Sequence, residues 1–226
     1  MISATEALEQ LRAGNSRFVS GGQLVGTFAN PARRNELTAG QEPFAVILGC
    51  SDSRVPVEII FDFSLGHLFV IRVAGNVVAP SQIGSIEFAA EQFGTRLVVV
   101  LGHDDCGAVS TTIDELKRPT DSRSPNLSSI VDRIRPAVEP LMKTKSENVE
   151  LLDEAVRANI RASVDHLRHG SEILETLRSE ERRVGEECRS RWSPDREKKK
   201  KNTLRCSLSR AAPPRCPLVD RAMLSP

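Results

Sequence analysis

The sequence predicts an α/β protein whose core is a parallel β-sheet flanked by helices. Three apolar runs rich in Val, Ile and Leu support this fold class, at 44–49 (FAVILG), 68–73 (LFVIRV) and 97–102 (LVVVLG). The runs are continuous rather than alternating, which is typical of strands covered on both faces. Helical patterns separate the runs, and a strand–helix–strand order places successive strands in parallel.

The segments around the predicted strands carry helical signals. The first 18 residues form an amphipathic pattern through Ile2, Leu8 and Leu11. A short helix is predicted after Pro56. Another is predicted up to Gly94, with Ser81 as its N-cap and Gly94 as its stop. From residue 125 onward the pattern is helical, with a kink or restart at Pro136, a second helix that ends at Gly170, and a further turn or two over 171–177.

Composition divides the chain into two pieces. Residues 1–178 hold 18 Lys+Arg and 23 Asp+Glu, a net of −5, whereas residues 179–226 hold 13 and 7, a net of +6; together they give the +1 of the whole chain. We expect one domain over 1–178 and a basic, disordered tail over 179–226, because the tail has too little apolar surface to offset an ordering entropy of about 1–2 kcal/mol per residue.

The start of the tail has an unusual sequence. Residues 180–194 resemble the translation of a sequencing adapter, and the lysine run that ends at residue 201 resembles a translated adenine tract. We therefore expect an artefact of sequencing here. The alternative is a genuine basic tail that binds acidic partners or RNA.

Bulk properties exclude several classes of protein. A net charge of +1 does not point to nucleic acid or to a membrane surface, and no apolar run approaches the ~20 residues that span a bilayer. The N-terminus lacks the basic and apolar regions of a signal peptide. We expect a cytoplasmic protein, in which cysteines more often bind metals or act in catalysis than form disulfides.

Two of the predicted strands end in reactive side chains. Cys50, Asp52 and Arg54 follow the first strand, and His103 and Cys106 follow the third. Ligands of open parallel sheets bind beyond the carboxyl ends of the strands, so these groups converge if the two strands are neighbours. Two thiolates and an imidazole suit Zn²⁺, and three protein ligands leave the open position of a catalytic zinc.

The residues alone leave other interpretations open. Cys50 or Cys106 could be a metal-free nucleophile with His103 as its base. Each cysteine could also be a small core residue. Asp52 and Arg54 could be a turn-capping acid and its ion-pair partner.

The stretches CSDSRVP (50–56) and GHDDCGAV (102–109) together resemble the paired signature of the β-class carbonic anhydrases, and the resemblance extends from about residue 3 to 177. It implies a zinc enzyme, a carbonate dehydratase that hydrates CO₂ to bicarbonate. Cys50, His103 and Cys106 would be the zinc ligands, with Asp52 and Arg54 as the catalytic dyad beside them. We expect the family's final antiparallel edge strand to be missing after residue 177.

The resemblance implies further roles. Gln41 would reach the substrate pocket across a homodimer interface, in a dimer or a multiple of dimers. Phe69 and Phe88 would line that pocket. Asp52 would become a fourth zinc ligand in a closed state if its pair with Arg54 broke. His67 stands where the family usually has Asp, and it is a candidate proton shuttle only by chemical type.

Two other functions fit the same resemblance. One is a non-catalytic module that binds zinc or bicarbonate. The other is a sister hydrolase that acts on CS₂ or COS. Neither is excluded by the residues shown, although the presence of both Asp52 and Arg54 argues against the non-catalytic module.

Overall fold

The structure, a computed structural model, describes residues 2–22, 30–118, 124–143, 148–177 and 223–224. Most of the predicted tail lies outside these residues, including the adapter-like segment and the lysine run. The predictions that the chain divides near residue 178 and that its tail is disordered therefore remain predictions.

The sheet has a parallel core, as the sequence predicts. Its strands are ordered β2-β1-β3-β4, where the ranges are β1 (Ala45–Gly49), β2 (Leu68–Arg72), β3 (Val98–Leu101) and β4 (Met223–Leu224). The central strand β1 is parallel to β2, with Ala45 opposite Leu68, and parallel to β3, with Val46 opposite Val98. All five residues of β1 are buried, as expected for a strand covered on both faces.

The outer edge of β3 pairs with the two residues of β4. This pairing is antiparallel and places Leu224 opposite Val98 and Met223 opposite Val99. The sequence indicates an open edge here, because the family's final strand does not follow residue 177. An unpaired edge presents free N–H and C=O groups, which the β4 backbone meets at these positions.

The helices alternate with the strands and cover the sheet. They are α1 (Ala4–Ser20), α2 (Pro31–Glu36), α3 (Val57–Ile60), α4 (Pro80–Phe93), α5 (Gly107–Lys117), α6 (Pro125–Met142) and α7 (Asn148–His169). Short 3₁₀ turns occupy Leu37–Ala39 and Ala74–Asn76, and residues 172–177 are helical. Among the described residues, no helix combines the length and apolar character needed to cross a membrane.

Helix α4 begins two residues earlier than its sequence predicts, and the prediction of Ser81 as N-cap is wrong. The N-cap is Ala79, which makes no side-chain cap, and Pro80 is the first helical residue. Proline favours this position because its fixed φ is already helical and its missing N–H would have no helical partner. Gly94 ends the helix in the left-handed region at φ 59°, as predicted.

Helix α6 does not restart at Pro136. It continues as one helix from Pro125 to Met142 with Pro136 inside it. Val131 and Ile134 are buried before the proline and Val138 after it, so one apolar face packs on the core on both sides. This packing favours a continuous helix despite the lost backbone hydrogen bond.

Helix α1 covers the core of its own domain. Its N-terminus has a capping box, in which Ser3 and Glu6 bond each other's backbone N–H groups. Ala7 and Leu11 are fully buried, and Asn15 donates from Nδ2 to the carbonyl oxygen of Ile60 at 3.1 Å. The amphipathic face therefore finds its apolar surface within the same chain, and it gives no separate support for a dimer.

Candidate metal centre

The fold brings together the three side chains predicted to bind zinc. Cys50 follows β1, and His103 and Cys106 follow β3, whose carboxyl end lies beside that of β1. The ligand atoms of these three residues all lie within 4.8 Å of one another. All three side chains are buried, with exposed fractions of 6%, 4% and 1%. Two sulfurs and one imidazole gathered in this way form a donor set that suits a metal ion.

The imidazole of His103 is oriented for binding through Nε2. Its Nδ1 lies 2.8 Å from the carbonyl oxygen of Asp104, which can only accept, so Nδ1 carries the proton and donates. Nε2 is buried and has no hydrogen-bond partner within the described ranges. A buried polar atom without a partner costs free energy, and a metal ion would satisfy it.

The two cysteines lie close enough to change each other's ionisation. Contact with Cys106 lowers the pKa of Cys50, and contact with Cys50 raises the pKa of Cys106. Cys106 is also the N-cap residue of α5, where the positive end of the helix dipole favours negative charge. The backbone N–H of Gly75 donates to the Cys50 sulfur at 3.4 Å. Without a metal ion these surroundings favour the thiolate of Cys50 and the neutral thiol of Cys106. Two thiolates with a neutral imidazole are the donor set of a catalytic zinc site.

Asp52 and Arg54 form a bidentate pair beside this donor set. Arg54 donates from Nε to Oδ1 of Asp52 at 2.9 Å and from Nη2 to Oδ2 at 2.8 Å. These hydrogen bonds hold the pKa of Asp52 well below its usual range, against a smaller opposing effect of burial. Oδ2 of Asp52 lies 3.8 Å from Nε2 of His103. The pair thus places an ionised carboxylate, which can only accept hydrogen bonds, next to the candidate ligands.

Arg72 is a site residue that the sequence reasoning missed. It ends β2 at the same edge of the sheet, where its Nε donates to the Cys50 carbonyl oxygen at 3.0 Å. Its Nη2 donates to the Asp52 carbonyl oxygen at 2.5 Å. One guanidinium therefore fixes the main chain on both sides of Ser51. The sequence contained a signal for this residue, because Arg72 is a polar residue near the end of the second apolar run (68–73).

The structure places Phe69 and Phe88 together but away from the ligands of the same chain. Together with Phe93 they form an aromatic cluster between β2 and α4, with ring centroids 5.7–6.3 Å apart. Phe69 pairs with Val46 of the neighbouring strand. Val46 precedes Cys50 by four residues, which is a distance of about 13 Å along the strand. Phe88 is 51% exposed. Within one chain this cluster therefore does not border Cys50.

Gln41 and His67 lie at the amino ends of the strands, whereas the candidate ligands lie at the carboxyl ends. Gln41 is exposed and precedes β1 by four residues. His67 directly precedes β2, where its Nδ1 lies 3.1 Å from the carbonyl oxygen of Ser64, and burial lowers its pKa. The length of a five-residue strand, about 16 Å, separates this end of the sheet from Cys50. His67 is thus not placed to exchange protons with the site of its own chain.

Comparison with known proteins identifies the family. The family model described as carbonic anhydrase matches residues 45–185. A carbonic anhydrase of Mycolicibacterium smegmatis is 38% identical over 168 residues, which cover 74% of this chain and 79% of that protein. The chain belongs to the carbonic anhydrase family. Carbonic anhydrase 2 of Mycobacterium tuberculosis is likewise 38% identical, over 70% of this chain and 74% of its own.

Solved structures agree with the β class within the carbonic anhydrases. One is a tetrameric β-carbonic anhydrase from Sordaria macrospora, with a TM-score of 0.57 at 24% identity, which covers 67% of this chain and 77% of its own. Another is the β-carbonic anhydrase CafA of Aspergillus fumigatus, with a TM-score of 0.56 at 26% identity over 65% and 70% of the two chains. The chain has the fold of a β-class carbonic anhydrase.

Proposed function

We propose that this chain catalyses the reversible hydration of CO₂ to bicarbonate and a proton with a zinc ion held by Cys50, His103 and Cys106. One observation carries the proposal: a buried donor set of two sulfurs and one unpartnered imidazole nitrogen lies beside an ionised carboxylate. Membership of the carbonic anhydrase family supports the choice of CO₂ as substrate.

Zinc would supply the Lewis acidity that activates water as a nucleophile near neutral pH. The protein's part is to hold the ion in a dry site. Cys50 and Cys106 offset its positive charge, and the bond from His103 to the Asp104 carbonyl fixes the ring. Three protein ligands leave the fourth coordination position open for water.

Asp52 would orient the nucleophile. Its carboxylate can only accept hydrogen bonds, so a hydroxyl beside it must point its hydrogen at Asp52 and turn a lone pair toward CO₂. The fork of Arg54 fixes both carboxylate oxygens, and Arg54 is itself held by a bond from Nη2 to the Asp105 carbonyl oxygen at 3.2 Å. If the two hydrogen bonds from the Arg54 side chain broke, Asp52 would be close enough to become a fourth zinc ligand.

The active unit would be a homodimer or a multiple of dimers. Within one chain Gln41 and the aromatic residues Phe69 and Phe88 lie away from Cys50, so their proposed substrate contacts require the site of a partner copy. Light scattering combined with an activity assay tests this. A monomer that hydrates CO₂ at the full rate would contradict it.

The cell compartment would be the cytoplasm, where the two ligand thiols stay reduced. The catalytic domain would be residues 1–178.

A stopped-flow assay of the zinc-loaded full chain tests the proposed reaction. We expect CO₂ hydration that disappears when a chelator removes the metal. The same preparation should be offered CS₂ and COS. Hydrolysis of CS₂ or COS that is faster than the hydration of CO₂ would favour a sister hydrolase. Zinc binding without turnover of any of the three compounds would indicate a non-catalytic module.

A further inference from the structure

The 3₁₀ turn Ala74–Asn76 has an unusual backbone and lies at the metal centre. Gly75 has φ 69° and Asn76 has φ 44°, so two successive residues occupy the left-handed region. This conformation is unfavourable for a non-glycine residue such as Asn76. The turn follows β2 at the edge of the sheet where Cys50 also lies, so surrounding contacts must hold it in place.

The turn contacts a metal ligand through one backbone group. The N–H of Gly75 donates to the Cys50 sulfur at 3.4 Å. A donor directed at a sulfur withdraws electron density from it, so this bond changes how strongly the thiolate would donate to a metal ion. The position of Gly75 therefore bears on the electronic properties of the site.

Two buried side chains of α7 hold the turn from one side. Asn159 donates from Nδ2 to the Gly75 carbonyl oxygen at 2.7 Å, and Ser163 donates from Oγ to the Asn76 carbonyl oxygen at 3.0 Å. Asn159 is 2% exposed and Ser163 is 5% exposed. Polar groups in a core are costly unless bonded, so both side chains are committed to this turn.

Tight packing limits the turn on the other side. A Cβ atom added to Gly75 would lie 2.8 Å from Cδ1 of Ile134 and 3.0 Å from Cβ of Ala108. Side chains of α5 and α6 therefore fill the space beside Gly75 and leave the turn little room to move toward them. On the side of α7, the bonds from Asn159 and Ser163 hold the turn.

We propose that Asn159 is a positioning residue for the metal centre. By holding the Gly75 carbonyl it keeps the Gly75 N–H against the Cys50 sulfur, and so sets the electron density that this sulfur gives to the metal. Ser163 assists by holding the next carbonyl of the same turn. This inference rests on the proposed zinc site and adds residues that do not themselves touch the ion.

Cobalt is a suitable probe because Co²⁺ replaces Zn²⁺ at such sites and absorbs light through sulfur-to-metal charge transfer. In Asn159→Leu the Gly75 carbonyl loses its donor, the turn relaxes, and the bond to the Cys50 sulfur weakens. An electron then leaves the sulfur more easily, so the charge-transfer band should move to longer wavelength. Ser163→Ala should move it in the same direction by a smaller amount.

Asn15→Leu is the matched control. Asn15 is also 2% exposed and also donates from Nδ2 to a backbone carbonyl, that of Ile60 in α3. Asn15→Leu should lower the stability of the chain by an amount comparable to Asn159→Leu, without moving the charge-transfer band. A control that shifts as far as Asn159→Leu would overturn the proposal, because the effect would then be general loosening of the core.

The measurement is the absorption spectrum of the cobalt-loaded full chain and of the three variants. A band in Asn159→Leu that coincides with the wild-type band overturns the positioning role. If that variant does not fold, an unshifted band in Ser163→Ala overturns it instead. A wild-type chain that takes up neither cobalt nor zinc contradicts the proposed metal site itself, which is a different failure.

Discussion

Arg54 donates two parallel hydrogen bonds to Asp52, from Nε to Oδ1 at 2.9 Å and from Nη2 to Oδ2 at 2.8 Å. The same carboxylate also accepts the Arg54 backbone N–H at 2.9 Å. Three bonds between residues two apart in sequence make Asp52 a fixed acceptor rather than a mobile one. This arrangement links the loop after β1 to the proposed chemistry.

Asp52→Asn should retain zinc but lower the rate of CO₂ hydration by about 10²-fold or more, since it removes the acceptor-only group that orients the nucleophile. Arg54→Ala should lower the rate by a similar order because it releases Asp52. Metal analysis and stopped-flow kinetics measure both effects. Arg135→Ala is the control, since Arg135 belongs to an exposed pair with Asp132 at 3.3 Å. Parent rates in either dyad variant would refute the assigned roles.

Cys50→Ser and Cys106→Ser should each lose both zinc and activity, because a hydroxyl does not ionise at neutral pH and is a poor zinc ligand. The zinc content of the purified variants measures this. Cys188→Ser is the control, because Cys188 lies in the basic tail (179–226), which we expect to take no part in the site. Full zinc occupancy in Cys50→Ser would exclude the proposed ligand set.

The ligand positions were accessible from the sequence because they sit at strand ends. Continuous apolar runs predict where β1 and β3 end, and parallel neighbours bring those ends together. Cys50, His103 and Cys106 therefore emerge from local pattern and topology. The family resemblance adds Asp52 and Arg54 as a functional pair, and the structure shows how their atoms meet.

The contacts from α7 were not accessible in this way. Asn159 and Gly75 are 84 residues apart, and nothing local to Asn159 distinguishes it from another polar residue on a helix. The start of α4 was misjudged for a different reason, since Ser81 is a good N-cap by type but Pro80 already begins the helix. Long-range packing and competition between neighbouring signals limit what the sequence predicts here.

Arg72→Ala should weaken the site without removing a ligand. Arg72 holds the carbonyls of Cys50 and Asp52, so its loss frees the loop that carries a ligand and the proposed orienting acid. We expect zinc affinity or turnover to fall about tenfold or more. Competition with a metal indicator and kinetics measure these effects. Arg72→Lys should recover part of the loss, because one ammonium can reach one carbonyl; equal values for Arg72→Ala and the parent would contradict the role.

Two glycine substitutions should change the free energy of unfolding in opposite directions. Gly75→Ala should destabilise the chain by roughly 1–3 kcal/mol, since it puts a Cβ at a positive φ and 2.8 Å from Ile134. Gly84→Ala should stabilise it by about 0.5–1 kcal/mol, because Gly84 lies inside α4 with nothing within 4 Å of the added Cβ. Urea denaturation measures the free energy of unfolding of each variant. A Gly75→Ala variant as stable as the parent would contradict the described turn.

Zinc-dependent CO₂ hydration is the central claim, and titration of zinc into the chelated full chain tests it most directly. The initial rate of CO₂ hydration should rise in proportion to added zinc and reach a plateau at one ion per chain. Hydration at the full rate before any zinc is added, or uptake of one zinc per chain with no rate above the uncatalysed reaction, would contradict the account.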